Sequence, residues 1–323
     1  MKIVVLDGYT LAADGNSWDA LLPLGEVEIY NRSSPPEVAE RAGNASVIIT
    51  NKARIPTAVI EGSSQLRFIA VSATGFDCVD VLAASRRGIP VSNVPEYGTD
   101  SVAQLTFALL LELCHHVGRH ADAVRDGQWT RAPDFCFWKT PLMELAGKTL
   151  GIVGFGRIGR RVGELAHAFG MNILAHGRSL SAFPTYRPFT WTSVEDLFSH
   201  AHIISLHCPL TPETANLIHG ARVQQVRPDA FLINTSRGGL VVEQDLADAL
   251  NTGRLAGAAV DVVSSEPIRP DNPLLSARNC LIAPHIAWAT REARRRLLEA
   301  TIANVASFLA GRPTNVVNPP AGG

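Results

Sequence analysis

Ten short runs of apolar residues recur along this chain, and none of them alternates strictly between polar and apolar. Residues 2–6 (KIVVL), 47–50 (VIIT), 68–71 (FIAV) and 89–92 (IPVS) lie in the first third. Residues 149–153 (TLGIV), 172–176 (NILAH), 203–207 (IISLH), 230–234 (AFLIN), 256–260 (AGAAV) and 280–283 (CLIA) follow. Near-continuous apolar runs belong to parallel strands covered by helices on both faces. Helical patterns separate the runs. The chain therefore reads as α/β, with doubly wound parallel sheets.

There are strands enough for two sheets, and a long helix lies between them. It starts near Thr99 and carries AQLTFALLLELC, with Asp100 or Thr99 as its expected N-cap. A second long helix, near Arg291 to Ala310, follows the last strand. These features suggest a first domain of residues 1–98 and 289–323 that holds an inserted domain, 99–288. A single large sheet is the alternative. A length of 323 residues favours two domains and suffices for a core without disulfides.

Charge and cysteine content narrow the function classes. The formal net charge is −1, so no basic excess exists to hold a nucleic acid. Cys78, Cys114, Cys136, Cys208 and Cys280 include no Cys-x-x-Cys pair. That spacing argues against a zinc site or a disulfide framework and fits a reducing compartment. Asp7 interrupts the first apolar run too early for a signal peptide, and the run from Leu105 to Cys114 is too short for a bilayer. A cytoplasmic chain without a membrane span is expected. His116 and His120 stand one helical turn apart, but no carboxylate or cysteine at a fitting distance joins them, so no metal is expected. The run from Arg291 to Arg296 reads as a solvated helix face.

One motif carries chemistry by its placement. Gly154-x-Gly156-x-x-Gly159 follows a strand and opens an amphipathic helix in GKTLGIVGFGRIGRRVGELAHAFG. The first glycine makes a tight turn, the second lets a pyrophosphate approach the backbone, and the third allows close helix–strand packing. The helix N-terminus adds unpaired N–H groups and a positive dipole end. Dinucleotide binding is the expectation. The next strand ends NILAHGRS, with Gly177 where an acid would bind a ribose 2′-hydroxyl, then Arg178 and Ser179. A carboxylate would repel a 2′-phosphate, whereas Arg178 offers a forked donor to it. NADP is therefore the expected cofactor, with NAD the alternative. A merely solvated Arg178 is the competing reading.

Three further residues follow strands in the second half. Arg237 lies in INTSRGG, Glu266 in SSEP and His285 in IAPHIAW. In open α/β sheets ligands bind outside the carboxyl ends of strands. The residue types suit reduction of a 2-keto acid. His can protonate a carbonyl oxygen near neutral pH. A carboxylate beside it favours the imidazolium and fixes the ring. Arg presents a planar fork to a substrate carboxylate and carbonyl. Each residue alone has a bland explanation as a structural or surface group; the order Arg, Glu, His is the specific feature.

The segments SATGFDCVDV, GIPVSNVPEYGTDSVAQ, RDGQW, LAGKTLGIVGFGRIG, HCPLTPET, FLINTSRGGLV, AAVDVVSSEP and APHIAW carry a resemblance over nearly the whole length. The chain resembles the D-isomer-specific 2-hydroxyacid dehydrogenase family. The resemblance implies two Rossmann-like domains, a flavodoxin-like substrate domain and an inserted dinucleotide-binding domain, with the dinucleotide in the cleft between them. It implies a catalytic set of Arg237, Glu266 and His285, and a substrate carboxylate held by amides at Ala73, Thr74 and Gly75. It implies cofactor contacts at Arg157 and Ile158 in the glycine loop, at Cys208 and Pro209, and at Thr235 and Asp261. Homodimers built through the dinucleotide-binding domains are usual in the family.

Within the family, VSATGFD lacks the basic residue that precedes the substrate loop of the phosphoglycerate branch, and the regulatory extension of that branch has no counterpart before residue 323. Glu266 stands where formate dehydrogenases carry Gln. ATGFDCVD, DFCFW and the GRS turn resemble glycerate dehydrogenases and hydroxypyruvate or glyoxylate reductases. Trp138, in DFCFW, is either an aromatic that reaches a partner subunit's site or a core or interface residue. Two rivals stay open: a dehydrogenase for another substrate (2-ketogluconate, phosphite or 3-phosphoglycerate), and a dinucleotide-binding regulator of the corepressor kind.

Overall fold

A computed structural model describes residues 1–178 and 183–318 of the chain. Ser179, a residue expected at the cofactor, lies outside the described residues. The chain forms two compact units, Met1–Gly98 with Ala289–Gly323, and Thr99–Trp288.

The first unit begins with β1 (Lys2–Val5), β2 (Glu26–Ile29), α1 (Pro35–Ala42), β3 (Val47–Thr50), α2 (Thr57–Gly62), β4 (Phe68–Val71), α3 (Val81–Arg86) and β5 (Val91–Ser92). Its strands form one parallel sheet in the order β2-β1-β3-β4-β5. Every residue of β3 and β4 is buried, as expected for strands covered on both faces. Asp7, just past β1, accepts hydrogen bonds from the amides of Asn51, Lys52 and Ala53 at 2.7, 2.5 and 2.7 Å. One carboxylate thus shapes the turn that leaves β3.

The second unit runs α4 (Thr99–His115), α5 (Val117–Arg125), β6 (Thr149–Val153), α6 (Arg157–Ala168), β7 (Asn172–His176), β8 (Phe189–Trp191), α7 (Val194–His200), β9 (Ile203–Leu206), α8 (Gly220–Val223), β10 (Phe231–Asn234), α9 (Glu243–Asn251), β11 (Gly257–Val260) and β12 (Cys280–Ile282). The parallel sheet has the order β12-β11-β10-β9-β6-β7-β8. The winding direction reverses at β6, so the carboxyl end of β6 beside β9 is the topological switch point. Apolar clusters cover both faces. One gathers Leu197, Phe198, Leu206 and Leu246; the other gathers Leu110, Leu150, Ile152 and Val162. Gly151 lets α7 pack directly on β6, since a Cβ there would stand 2.5 Å from Leu197. The last helix, α10 (Arg291–Leu309), belongs to the first unit and stacks Phe308 on Phe68 with ring centroids 4.4 Å apart.

β2 and β8 lie in segments not expected to be strands; each is a sheet edge, short and only partly apolar. The strand expected over 89–92 shrinks to Val91–Ser92, because Pro90 has no N–H to give a ladder. Thr99 is the first residue of α4 and Asp100 lies in its first turn, so neither is the N-cap. The arginine run of α10 is not simply solvated. Arg294 is 8% exposed and ion-paired with Asp14, while Arg296 donates to the Tyr97 carbonyl at 2.8 and 2.9 Å. Among the described residues no helix is long and apolar enough to cross a membrane.

Candidate active site

The carboxyl ends of β10, β11 and β12 build the site. Their register aligns Asn234 with Val260, and Val260 with Ile282. Arg237, Asp261 and His285 follow these three residues by three, one and three positions. Adjacent parallel strands therefore deliver them to the same edge of the sheet.

The histidine turn is the most constrained part. His285 adopts a φ of +55°, a left-handed conformation uncommon for residues other than glycine. Asp261 holds it there. The His285 amide donates to the Asp261 carbonyl at 2.8 Å. The two carboxylate oxygens of Asp261 accept from the amides of Ile286 and Ala287, each at 2.8 Å. Asp261 is 1% exposed, and burial raises its carboxyl above the ordinary value although the two amides and His285 oppose the rise. The Ser101 hydroxyl donates to the Ala287 carbonyl at 2.5 Å and ties α4 to the same turn.

Held this way, Nδ1 of His285 lies 2.6 Å from Oε2 of Glu266. A carboxylate opposite Nδ1 keeps the proton on that nitrogen and leaves Nε2 to exchange one with a reactant. The Val263 amide donates to Oε1 of Glu266 at 3.3 Å. Arg237 leaves β10 in extended conformation, φ −144° and ψ 138°. Asn234 fixes it from behind: its Nδ2 donates to the Arg237 carbonyl at 2.9 Å and its Oδ1 accepts the Ser236 amide at 3.0 Å. Gly238 then allows direct backbone contact, since a Cβ there would lie 2.0 Å from the Val263 carbonyl carbon. The Arg237 and Glu266 segments are thus packed on one another. The structure brings Glu266 and His285 into contact and sets Arg237 on the neighbouring strand end.

At the switch point the glycine loop fits a dinucleotide. Gly154 has a φ of +98°, and a Cβ would meet the Cys208 amide at 2.5 Å. Gly159 packs on Gly154, whose carbonyl a Cβ would meet at 2.2 Å. Gly156 is different. It is exposed, and nothing lies within 4 Å of the position a Cβ would take. Open space directly before the N-terminus of a 12-residue helix is what an approaching pyrophosphate requires. Arg157 is exposed and Ile158 half-buried at the head of α6. Cys208 is buried beside Gly154, and Pro209 is exposed just after it. The Thr235 hydroxyl lies 3.1 Å from the Thr106 hydroxyl of α4.

The end of β7 carries no acid. Gly177 is followed by an exposed Arg178. The Glu213 carboxyl is held below its ordinary value chiefly by the Thr211 hydroxyl, with the Arg178 charge a smaller cause. In the first unit, the turn at Ala73, Thr74 and Gly75 is anchored by residues 93–94. The Val94 amide donates to the Ala73 carbonyl at 3.0 Å, Asn93 Nδ2 to the Thr74 carbonyl at 2.7 Å, and the Thr74 hydroxyl to the Val94 carbonyl at 2.9 Å. His120 donates through Nδ1 to the His116 carbonyl and accepts the Lys139 amide on Nε2, at 2.9 and 3.1 Å, so both ring nitrogens are engaged. Sequence reasoning missed two features of the site. It treated Asp261 only as a cofactor contact, whereas both oxygens brace the His285 turn, and it passed over Glu243.

Residues 107–287 match the family described as "D-isomer specific 2-hydroxyacid dehydrogenase, NAD binding domain". A hydroxypyruvate reductase of Blautia hydrogenotrophica is 47% identical over 321 residues, which cover 98% of this chain and 100% of that protein. A glycerate dehydrogenase of Methylorubrum extorquens is 36% identical over 318 residues, 98% of each chain. The solved structure of an NADPH-dependent glyoxylate/hydroxypyruvate reductase from Sinorhizobium meliloti is similar with a TM-score of 0.84 at 28% identity, covering 99% of both chains.

Proposed function

This chain belongs to the D-isomer specific 2-hydroxyacid dehydrogenase family, and from that premise we propose that it reduces hydroxypyruvate and glyoxylate to D-glycerate and glycolate, with NADPH preferred to NADH. The observation that carries the reading is the contact between His285 and Glu266, which follow β12 and β11, with Arg237 after the adjoining β10. The relatives named for these two substrates support the choice among keto acids.

The chemistry follows from the residues. Reduced nicotinamide, when bound, supplies the hydride to the carbonyl carbon. His285 gives the proton from Nε2 to the carbonyl oxygen as negative charge grows there. Glu266 keeps the ring aligned through its contact with Nδ1. Arg237 offers its fork to the substrate carboxylate and carbonyl oxygen. We assign the amides of Ala73, Thr74 and Gly75 to the carboxylate, and the first unit to substrate binding. The second unit is assigned to the dinucleotide. Gly154, Gly156, Arg157, Ile158 and Gly159 take the pyrophosphate, and Arg178 with Ser179 takes the ribose 2′-phosphate. Cys208 and Pro209 serve the same ligand, and Thr235 and Asp261 its nicotinamide end.

We further assign a cytoplasmic homodimer. The free thiols fit a reducing compartment. Phe135, Trp138 and Trp129 are 88, 68 and 53% exposed in one segment of the second unit, and such an aromatic patch fits a protein interface. A substrate panel with chiral analysis of product tests the function. Hydroxypyruvate and glyoxylate should give the highest kcat/KM and D-glycerate should form. L-glycerate, or a preference for phosphohydroxypyruvate, would contradict it.

A further inference from the structure

We propose that Glu243 is a positioning residue for the Glu266–His285 pair; this rests on the reading of that pair given above. Glu243 is the first residue of α9 and is half-buried. Its carboxylate turns away from its own helix. Oε1 accepts the Ser264 amide at 2.7 Å, and Oε2 accepts the Ser264 hydroxyl at 2.7 Å and Asn272 Nδ2 at 3.0 Å. Ser264 lies two residues before Glu266.

The three donors call for a carboxylate in particular. Asn272 is 8% exposed, and its Oδ1 accepts the Leu274 amide at 3.0 Å. The orientation of its amide group is therefore set, with Nδ2 turned towards Glu243. A glutamine at 243 would place an NH2 group against either that NH2 or the Ser264 amide. Only an ionised carboxylate accepts all three hydrogen bonds.

The same loop is gripped from the other side by Gly238, whose added Cβ would come within 2.0–2.5 Å of Val263 and Ser264 backbone atoms. Gly238 and Glu243 lie on one stretch of chain, directly after Arg237. This stretch clamps residues 263–264, and Val263 in turn donates its amide to Glu266. Glu243 thereby sets the Glu266 carboxylate against His285 Nδ1 and keeps the Arg237 and Glu266 segments in register. Loss of such a clamp acts on catalysis through small displacements at the reacting groups.

The test compares E243Q and E243A with E266Q and the double variant E243Q/E266Q. A first readout does not need turnover: the downfield proton resonance of the His285 Nδ1–H hydrogen bond. It should be sharp in the wild type and lost or broadened in E243A and E243Q. In reduction of hydroxypyruvate, kcat should fall about 10–100-fold in E243Q, with dinucleotide affinity unchanged. The double variant should be no slower than E266Q by more than about twofold, because both substitutions remove one effect. A resonance unchanged in both variants, or an E243Q loss of equal size in the E266Q background, overturns the proposal. A wild type that reduces no keto acid would instead overturn the functional reading, and the resonance would still decide the role of Glu243. The near-isosteric E243Q covers the case in which E243A fails to fold.

Discussion

His285 Nδ1 and Glu266 Oε2 stand 2.6 Å apart across nineteen positions of sequence. Neither residue is held by its own secondary-structure element. Asp261 fixes the backbone on which His285 sits, through both carboxylate oxygens and its carbonyl. The loop of Glu266 is braced by Gly238 and Glu243. The pair is thus the product of three neighbouring strand ends and the contacts between their loops.

Replacing Asp261 by Asn separates its two effects. Asn has one acceptor oxygen, so either the half-exposed Ile286 amide or the buried Ala287 amide loses its partner, at about 1–3 kcal/mol where the orphan is the buried one. Burial raises the Asp261 carboxyl above 3.8 in the folded chain. Such a group binds its proton more tightly folded than unfolded. Its contribution is fully present below the unfolded value and is lost as pH rises through the higher folded value. Asn does not ionise and so is free of that loss; the stability of D261N should vary less with pH across that interval than the parent's. Denaturant melts at several pH values measure this; equal pH slopes in the two proteins would contradict it.

The glycine loop predicts a split between folding and binding. G156A meets no atom within 4 Å at an ordinary φ of −80°, so it should fold like the parent yet bind the dinucleotide more weakly. G159A drives a methyl to 2.2 Å from the Gly154 carbonyl and should lower stability by about 1–3 kcal/mol. Thermal melts with cofactor titration measure both. Unchanged affinity in G156A would remove the pyrophosphate from this position.

Much of the second sheet was readable because most of its strands are near-continuous apolar runs. Residues 149–153 and 172–176 are strands to the residue, and 203–207, 230–234, 256–260 and 280–283 each lose one residue at an end. EVEI and FTW were missed because an edge strand needs neither a continuous apolar run nor a long one. In the candidate site, the order Arg237, Glu266, His285 was legible from strand ends alone. The bracing by Asp261 and Glu243 was not. Their partners are backbone amides, a serine hydroxyl and an asparagine side chain that become neighbours only when β10, β11 and β12 align.

Arg178 should discriminate between the two nicotinamide cofactors. If its guanidinium holds a 2′-phosphate, R178A loses a charge-assisted contact of about 1.5–3 kcal/mol, roughly 10–150-fold in KM for NADPH. The KM for NADH should stay within about twofold, since no such contact exists there. Paired steady-state measurements decide it; an equal change with both cofactors would sink the assignment.

The thiols should differ in reactivity. Burial pushes Cys78 and Cys114 up to about 11 and Cys280 up to about 12, and raises Cys208, which suppresses their thiolates. Cys136 is exposed. Iodoacetamide at neutral pH should label Cys136 first, and the others only in denaturant. Mass spectrometry of the native protein would contradict this if Cys114 or Cys280 were labelled at a similar rate.

The most direct test of the account follows the absorbance of NADPH on mixing with hydroxypyruvate, for the wild type and H285Q side by side. The wild type should consume cofactor steadily. H285Q should bind NADPH as tightly and turn over about 10²–10⁴-fold more slowly, for loss of its proton donor. Near wild-type turnover in H285Q would mean that the proton comes from another group and that the His285–Glu266 pair is not the catalytic centre.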